Sequence, residues 1–223
     1  MDRDIEAEKR MAAEAAVSWA RPGMTVGLGT GSTVEYLLAP LARQAGGLRC
    51  VSTSPRTEEL ALGLGISVSS FAGADGIAHL DLAIDGADQV DPVGWLVKGG
   101  GAAHTREKRV AAAADVFVVI VSSNKVVNRL TAPIPLELLD YGLAATLRDL
   151  RAIGDVRLRD VPRSPDGGVI ADYLGPVDDP AALAARLAAQ PGVVEHGLFP
   201  PAMVTTVLVG RGDMVEQRDV ARR

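Results

Sequence analysis

Apolar residues alternate between strand and helix spacing through the first 130 residues, and this alternation constrains the fold more than any other feature. A helix predicted from about Asp4 to Ala20 ends at "RPG", and "MTVGLG" then has the composition of a short buried strand. Strand-like segments follow at "LRCVSTS", "ISVSS", "LDLAIDGAD" and "VFVVIVSS", and helical ones at 32–45, "PRTEELALGLG" and "TREKRVAAAAD". Alternation of this kind predicts a parallel sheet that is covered on both faces.

The pattern changes after "TAPIPLELL". A helix is predicted from Tyr141 to Leu150 and another at "DPAALAARLAAQ", among the strand-like segments "DVRLRD", "GGVIADY" and "GVVEHGLF". This order predicts a small antiparallel sheet with helices on one face, an α+β unit. Because "MVTTVLVG" is apolar enough to rejoin the main sheet, we predict a first domain of residues 1–130 and 205–223 and a small domain of residues 131–204.

Charge and aromatic content limit the partners. With a net charge of −5 and 4% aromatic residues, the chain lacks the features of a protein that binds nucleic acid or an acidic membrane, although a few local cations can hold a small anion. No apolar run approaches membrane-spanning length, and the charged N-terminus has no signal-peptide core. The lone Cys50 cannot form an internal disulfide, so we expect a reducing, cytoplasmic location.

The first candidate site is "VGLGTGSTV", which follows a strand and opens a helix. Its glycines and the hydroxyls of Thr30, Ser32 and Thr33, together with a helix N-terminus, are suited to a phosphate. The spacing is not that of a dinucleotide-binding loop, since Ser32 stands where the third glycine is needed, and no lysine of a nucleotide-binding loop is present. Residues Thr30, Gly31, Ser32 and Thr33 therefore form either a sugar-phosphate cradle or a tight turn capped by Ser32.

The second candidate is "AIDGADQVDP" at the carboxyl end of a predicted strand, where open α/β sheets assemble ligand sites. Asp85 and Asp88 could bind sugar hydroxyls or exchange protons, with Gly86 and Ala87 between them. A metal site is the rival interpretation, but no calcium-loop pattern follows and no histidine lies at ligand spacing. An ordinary Asp-Gly turn is the alternative without function.

The third candidate is "VKGGGAAHTREK", in which Lys98 and the glycines Gly99, Gly100 and Gly101 precede Glu107. Proton abstraction next to a carbonyl needs a base and a cation that holds the developing oxyanion. Glu107 and Lys98, with the N–H groups of the loop, would meet that need. Glu107 could equally belong to a solvated helix face, because its neighbours in sequence are all charged.

The strand "VVIVSSNKV" ends in polar residues that include Lys125. That lysine is either part of a solvated turn or a second cation for the ligand. The three histidines are dispersed and form neither a nucleophilic triad nor a metal signature.

With "GTGSTV", "DGAD", "KGGGAAHTREK" and "SSNKV" in that order, the chain resembles the A-type ribose-5-phosphate isomerase family almost from end to end. The resemblance implies a Rossmann-like domain with a smaller ferredoxin-like α+β domain, a homodimer or homotetramer, and no metal or cofactor. It also implies interconversion of D-ribose 5-phosphate and D-ribulose 5-phosphate in the pentose phosphate pathway. Glu107 corresponds to the family's proton acceptor, Lys125 to a substrate-contacting lysine and Lys9 to a phosphate-contacting one. Lys98, Asp85, Asp88 and the "TGST" residues also match.

Three departures from the family pattern are visible: Gln89 in place of glutamate, His104 in place of an apolar residue, and "SPDGGVI" (Ser164 to Gly168 onward) in place of an Asn-Gly-Asn turn. None removes a proposed catalytic group. Two other classes of protein remain open for this kind of fold, a domain that binds a sugar phosphate without turnover and a transferase with a glutamate nucleophile. A binding domain would need no base at position 107, and a coenzyme-A transferase would need a longer acyl-carrier site.

Overall fold

The computed structural model describes residues 4–44 and 46–220, which divide into two compact units. Within the described residues, the first unit comprises 4–44, 46–87, 106–126 and 201–220, and the second comprises 88–105 and 127–200. The second unit includes residues 88–105 because the short strand Leu96–Val97 pairs on one side with Leu198–Phe199 and on the other with Gln89–Val90. Sequence periodicity alone had placed these residues in the first domain, and the boundaries at 131 and 204 stay a prediction.

The first unit is built on a six-stranded sheet in the order β13-β12-β6-β3-β1-β2, in which only the β12–β13 pair is antiparallel. Its strands are β1 (Thr25–Leu28), β2 (Arg49–Ser52), β3 (Leu80–Asp85), β6 (Ala114–Ser122), β12 (Thr206–Arg211) and β13 (Met214–Asp219). Its helices are α1 (Ile5–Ala16), α2 (Ser32–Gln44), α3 (Pro55–Gly63) and most of α4 (His104–Ala112). The mostly parallel sheet predicted from the alternation is confirmed.

The second unit has a four-stranded antiparallel sheet, in the order β10-β7-β9-β8, and a three-stranded one, in the order β11-β5-β4. The strands are β4 (Gln89–Val90), β5 (Leu96–Val97), β7 (Ile134–Leu138), β8 (Val156–Leu158), β9 (Val169–Tyr173), β10 (Val193–His196) and β11 (Leu198–Phe199). Its helices are α5 (Leu143–Arg151) and α6 (Pro180–Ala188). An α+β unit was expected, but the three-stranded sheet was not, since strands of two residues carry no readable alternation.

Local sequence explains where several helices begin. The Asp4 side chain accepts a hydrogen bond from the Ala7 amide at the start of α1, and Ser54 caps α3 in the same way. Asp179 accepts from the amides of Ala181 and Ala182 at the start of α6. Side-chain caps of this kind contribute about 1 kcal/mol each to helix stability.

Packing in each unit is aliphatic. In the first unit, α1 and α2 bury alanine and leucine faces against the strands of the parallel sheet. In the second, the apolar faces of α5 and α6 join the buried face of the antiparallel sheet around Leu136 and Leu187. The predicted strand at "ISVSS" is wrong, because only a single bridge forms there, between Val68 and Cys50. No helix among the described residues is long and apolar enough to cross a membrane.

Cys50 lies within β2 with no solvent exposure, and burial raises the pKa of its thiol to about 12. Since the thiolate is the reactive form, only about one molecule in ten thousand would be ionised at pH 8. We expect no measurable reaction of the native protein with a chromogenic disulfide reagent at pH 8, and one equivalent after denaturation in guanidinium. Rapid labelling of the folded protein would contradict the burial.

Candidate active site

Four parallel strands of the first unit end at one edge of the sheet, and the chain leaves each of them through polar residues. The glycine loop Gly29–Thr33 follows β1, Thr53 follows β2, Asp85 ends β3, and the turn at Ser123–Lys125 follows β6. Ligand sites of open α/β sheets form at this edge. Residues of three of the four sequence motifs, "GTGSTV", "DGAD" and "SSNKV", therefore meet at this edge because of the sheet topology.

The glycine loop after β1 is held by Asp85. One oxygen of this carboxylate, Oδ1, accepts the N–H groups of Thr30 at 3.0 Å and Gly86 at 2.7 Å. A Cβ atom at Gly29 would lie 1.9 Å from the Asp85 carboxyl, so no side chain fits at that position. Asp85 is 3% exposed, and its contacts with the loop stabilise the loop conformation.

Two threonines of the neighbouring segment complete the loop. The hydroxyls of Thr30 and Thr53 are 2.7 Å apart, and the Thr57 hydroxyl donates to the Gly29 carbonyl at 2.8 Å. Gly31 has a φ of +113°, which a residue with a side chain rarely adopts. Ser32 begins α2 and is exposed together with Gly31. The first N–H groups of a helix have no partner within the helix, so the amino end of α2 at this edge suits an anion.

Glu107 lies in the first turn of α4 and is only 4% exposed. A Cβ at Gly27 in β1 would meet Val110 at 2.3 Å, so α4 packs closely on β1 at this glycine. A helix that connects two parallel strands runs antiparallel to them. Glu107, about one turn before Val110, is thereby directed towards the edge that carries the glycine loop. Because Glu107 is buried, it does not belong to a solvated face of the helix.

Lys9 and Lys125 have different surroundings. The Lys9 ammonium pairs with Glu6 at 2.7 Å on α1, and its side chain is 16% exposed. Lys125 ends the turn of Ser123–Lys125 and is partly exposed.

Glu8 of α1 holds that turn and was not predicted from the sequence. It is 1% exposed and accepts the amides of Ser123 and Gly212, both at 2.9 Å. The helical period could have flagged Glu8, since it falls on the buried face of α1 with Ala12.

The second unit contains the other motif residues, Asp88, Lys98 and the glycines that follow. Lys98 comes directly after β5, is 2% exposed, and places its ammonium 5.5 Å from the centre of the Phe199 ring. A cation over an aromatic face is stabilised electrostatically. The amide of Lys98 donates to the Gly197 carbonyl at 2.9 Å, which fixes the start of the loop.

The loop after Lys98 is tightly specified. Gly99 has a φ of +104°, and a Cβ there would lie 2.7 Å from the buried ring of His104. The departure at His104 is thus accommodated by this glycine. The N–H of Gly100 donates to Asp88 Oδ2 at 2.8 Å, so this amide is engaged by a carboxylate rather than directed at a ligand. Gly101 is exposed.

The remaining departures have local explanations in the second unit. The Gln89 amide donates to the Thr131 carbonyl and accepts from the Thr131 N–H, both at 2.8 Å, and a glutamate could make only the second bond. The Ser164 hydroxyl donates to the buried Glu137 and accepts the amide of Gly168 at 3.0 Å. Glu137 also accepts the Thr105 hydroxyl, so the altered turn is joined to the start of α4.

Among the described residues, no group of histidine, cysteine, aspartate or glutamate side chains at the candidate site is arranged to bind a metal ion. The group of possible metal ligands found among the described residues is His79, Asp81 and Asp115, whose ligand atoms lie within 4.8 Å of one another. It lies at the amino ends of β3 and β6, the edge opposite Asp85. The Nε2–H of His79 donates a 2.9 Å hydrogen bond to Asp115 Oδ1, and this bond to a carboxylate raises the pKa of His79. The exposed pair of His79 and Asp115 explains why these side chains lie close together.

Comparisons with known proteins agree in sequence and in structure. The family described as ribose 5-phosphate isomerase A (phosphoriboisomerase A) matches residues 49–214. The ribose-5-phosphate isomerase A of Halobacterium salinarum is 43% identical over 222 residues, covering 95% of this chain and 96% of that protein. The crystal structure of ribose 5-phosphate isomerase A from Neisseria gonorrhoeae is 31% identical with a TM-score of 0.91, covering 97% of both chains.

A second solved structure is a D-ribose-5-phosphate isomerase in complex with phospho-erythronic acid, 32% identical with a TM-score of 0.90. It covers 97% of this chain and all of that one. The resemblance inferred from four short motifs therefore extends over nearly the whole length, in sequence and in fold. The chain belongs to the ribose-5-phosphate isomerase A family.

Proposed function

We propose that this protein interconverts D-ribose 5-phosphate and D-ribulose 5-phosphate, with Glu107 as the base that moves the carbon-bound proton. The observation that carries the assignment is the burial of this one carboxylate among charged neighbours, in a helix whose amino end is directed to the glycine-loop edge. Family membership supports the same reaction and substrate. A domain that only binds a sugar phosphate would gain nothing from a buried base at this position.

The isomerisation requires an open sugar chain, and then a proton transfer between adjacent carbons. Glu107 removes the proton from C2 of the aldose, the electrons form the C1–C2 double bond of an enediolate, and Glu107 returns the proton to C1 of the ketose. A positioned base of this kind contributes roughly 10²–10⁴ in rate. The same carboxylate serves both steps, so the proton is conserved within the site or exchanged with solvent.

Lys98 holds the oxyanion of the enediolate in this proposal. Its charge is almost fully buried over Phe199, and a cation in such surroundings interacts more strongly than one in water. Asp85 and Asp88 assist ring opening and proton exchange between oxygens. Each carboxylate is oriented by a loop amide, that of Thr30 for Asp85 and that of Gly100 for Asp88.

The phosphate is assigned to the amino end of α2, where Thr30, Gly31, Ser32 and Thr33 supply N–H and hydroxyl donors. Lys125 adds positive charge, and Lys9 does so if it exchanges its partner Glu6 for the ligand. The remaining residues of the motifs contact substrate through the backbone: Gly86, Ala87, Gly99 and Gly101. Assembly as a homodimer or homotetramer in the cytoplasm stays an expectation from the resemblance.

Glu107→Gln tests the base directly. The change keeps size and helix propensity nearly constant while removing the proton acceptor, so turnover should fall by roughly 10²–10⁴. Proton NMR of ribose 5-phosphate in heavy water should show no exchange at C2, while phospho-erythronic acid still binds. The matched control is Glu58→Gln, an exposed glutamate in the first turn of α3, which should behave as wild type. Near wild-type exchange by the Glu107 variant would transfer the role to Asp85 or Asp88.

Lys98→Met tests the oxyanion assignment. The charge matters most when the carbonyl oxygen becomes negative, so kcat should fall by much more than the affinity for phospho-erythronic acid. Loss of one such stabilising group typically costs about 10²–10³ in kcat. The control is Arg109→Met, an exposed cation on α4, which should leave kcat unchanged. A change confined to KM would make Lys98 a group that binds substrate and transition state equally.

Ser32→Glu tests the phosphate position. A carboxylate about 4 Å from the phosphate costs about 1 to 4 kcal/mol, depending on the local dielectric, so KM should rise at least several-fold. Glutamate is otherwise favourable at a helix amino end, so folding should not suffer. Ala181→Glu, at the exposed amino end of α6, adds the same charge elsewhere and controls for net charge. An unchanged KM in the Ser32 variant would assign the phosphate to another loop.

A further inference from the structure

Arg159 contacts the glycine loop that follows Lys98. It lies just beyond β8 and its backbone amide donates to the Ile170 carbonyl of β9 at 2.9 Å. Its Nη1 donates to two backbone carbonyls at once, those of Gly99 at 3.0 Å and Gly100 at 3.1 Å. This contact could not be predicted from the sequence, since arginine occurs at many surface positions and Arg159 is 60 residues from Gly99.

Asp172 holds the guanidinium in place for these contacts. The Nε of Arg159 donates to Asp172 Oδ2 at 2.9 Å, and Nη2 donates to Oδ1 of the same carboxylate. Both side chains are less than one-fifth exposed, at 18% and 19%. A two-point arginine–carboxylate pair fixes orientation as well as distance, and lysine cannot reproduce its geometry. The third nitrogen is therefore directed at the loop by the other two.

The loop needs such a support because three consecutive glycines have the greatest backbone freedom of any sequence. Asp88 holds the Gly100 N–H, and Arg159 holds the carbonyls of Gly99 and Gly100. Together these contacts fix the orientation of the two peptide groups that follow Gly99 and Gly100. Lys98, the residue directly before them, has its own amide fixed by Gly197.

We propose that Arg159, oriented by Asp172, is a positioning residue for the reaction: it fixes the glycine loop and thereby the place of the Lys98 ammonium and of Asp88. The inference rests on the proposed function of Lys98. Arg159 acts through the loop, so its removal should affect the rate of the reaction rather than the affinity for substrate. Small displacements of a catalytic group can cost up to about 10² in rate.

Arg159→Met should lower kcat roughly 10- to 100-fold with little change in KM. The chain offers a matched control in Arg157→Met. Arg157 lies in β8, two residues before Arg159, is 73% exposed, and pairs with Asp155 rather than with the loop. Arg159→Met should melt at a lower temperature than Arg157→Met, because Asp172 loses its two-point partner in a site that is less than one-fifth exposed. Equal kcat values for the two variants would overturn the proposal.

Hydrogen exchange measures the loop itself. The Gly100 amide donates to Asp88 and the Ala102 amide donates to the Gly99 carbonyl, so both should exchange faster in Arg159→Met. Exchange in α5 and α6 should stay unchanged, which separates a local effect from general destabilisation. Unchanged loop exchange would contradict the proposal even if kcat fell.

Arg159→Lys distinguishes positioning from charge. Lysine keeps the positive charge but cannot hold Asp172 at two points and two carbonyls together, so kcat should remain well below wild type. Recovery of the wild-type kcat would show that a charge suffices and would overturn the positioning role.

A double-mutant cycle with Lys98→Met separates this inference from the proposed function. If Arg159 acts through Lys98, Arg159→Met should lower kcat much less in the Lys98→Met background than in the wild type. Full additivity would contradict the inference while leaving the role of Lys98 intact. A wild-type kcat for Lys98→Met alone would instead refute the proposed function of Lys98, whatever the loop exchange shows.

Discussion

Asp85 occupies the space beside Gly29 where a side chain would otherwise stand, and the surrounding loop takes its shape from that contact. The carboxylate is buried, accepts two amides, and lies where β3 ends next to β1. An unsatisfied buried carboxylate would be costly, so the backbone turns of both loops follow from the need to donate to it. The loop that opens α2 thus depends on the strand that precedes the second motif.

The carboxyl edge of the parallel sheet was predictable because it follows from periodicity and topology. Strands and helices long enough to show a period were located to within a few residues, and the motifs after β1 and β3 meet as parallel strands require. The burial of Glu107 was left open, since a glutamate among "TREKR" fits both a solvated face and a site. The close packing of α4 against β1 at Gly27 explains why Glu107 is buried. That packing joins Gly27 to Val110, which are far apart in sequence.

Most of the polar residues that support the site could not be found from sequence. Glu137, Arg159 and Asp172 each act through a partner outside their own element, and none of the three belongs to a motif. Charged residues are usually exposed to solvent, so the residue type alone does not predict that these side chains are buried or support the site. The short strands β4, β5 and β11 were missed for a different reason, since two residues cannot display a period. Hydrogen bonds between side chains that are distant in sequence are the part of the fold that a single sequence does not predict.

Glu8 joins the first helix to a glycine 204 residues later while it also holds the turn that ends in Lys125. A chain emerging from the ribosome has already released α1, β1 and β6 before Gly212 is made. Contacts between such distant segments form late, because closing a long loop costs entropy that local contacts do not. Helix α1 therefore reaches its final hydrogen bonding only after the β12–β13 hairpin has been made, and the turn that ends in Lys125 shares that carboxylate from then on.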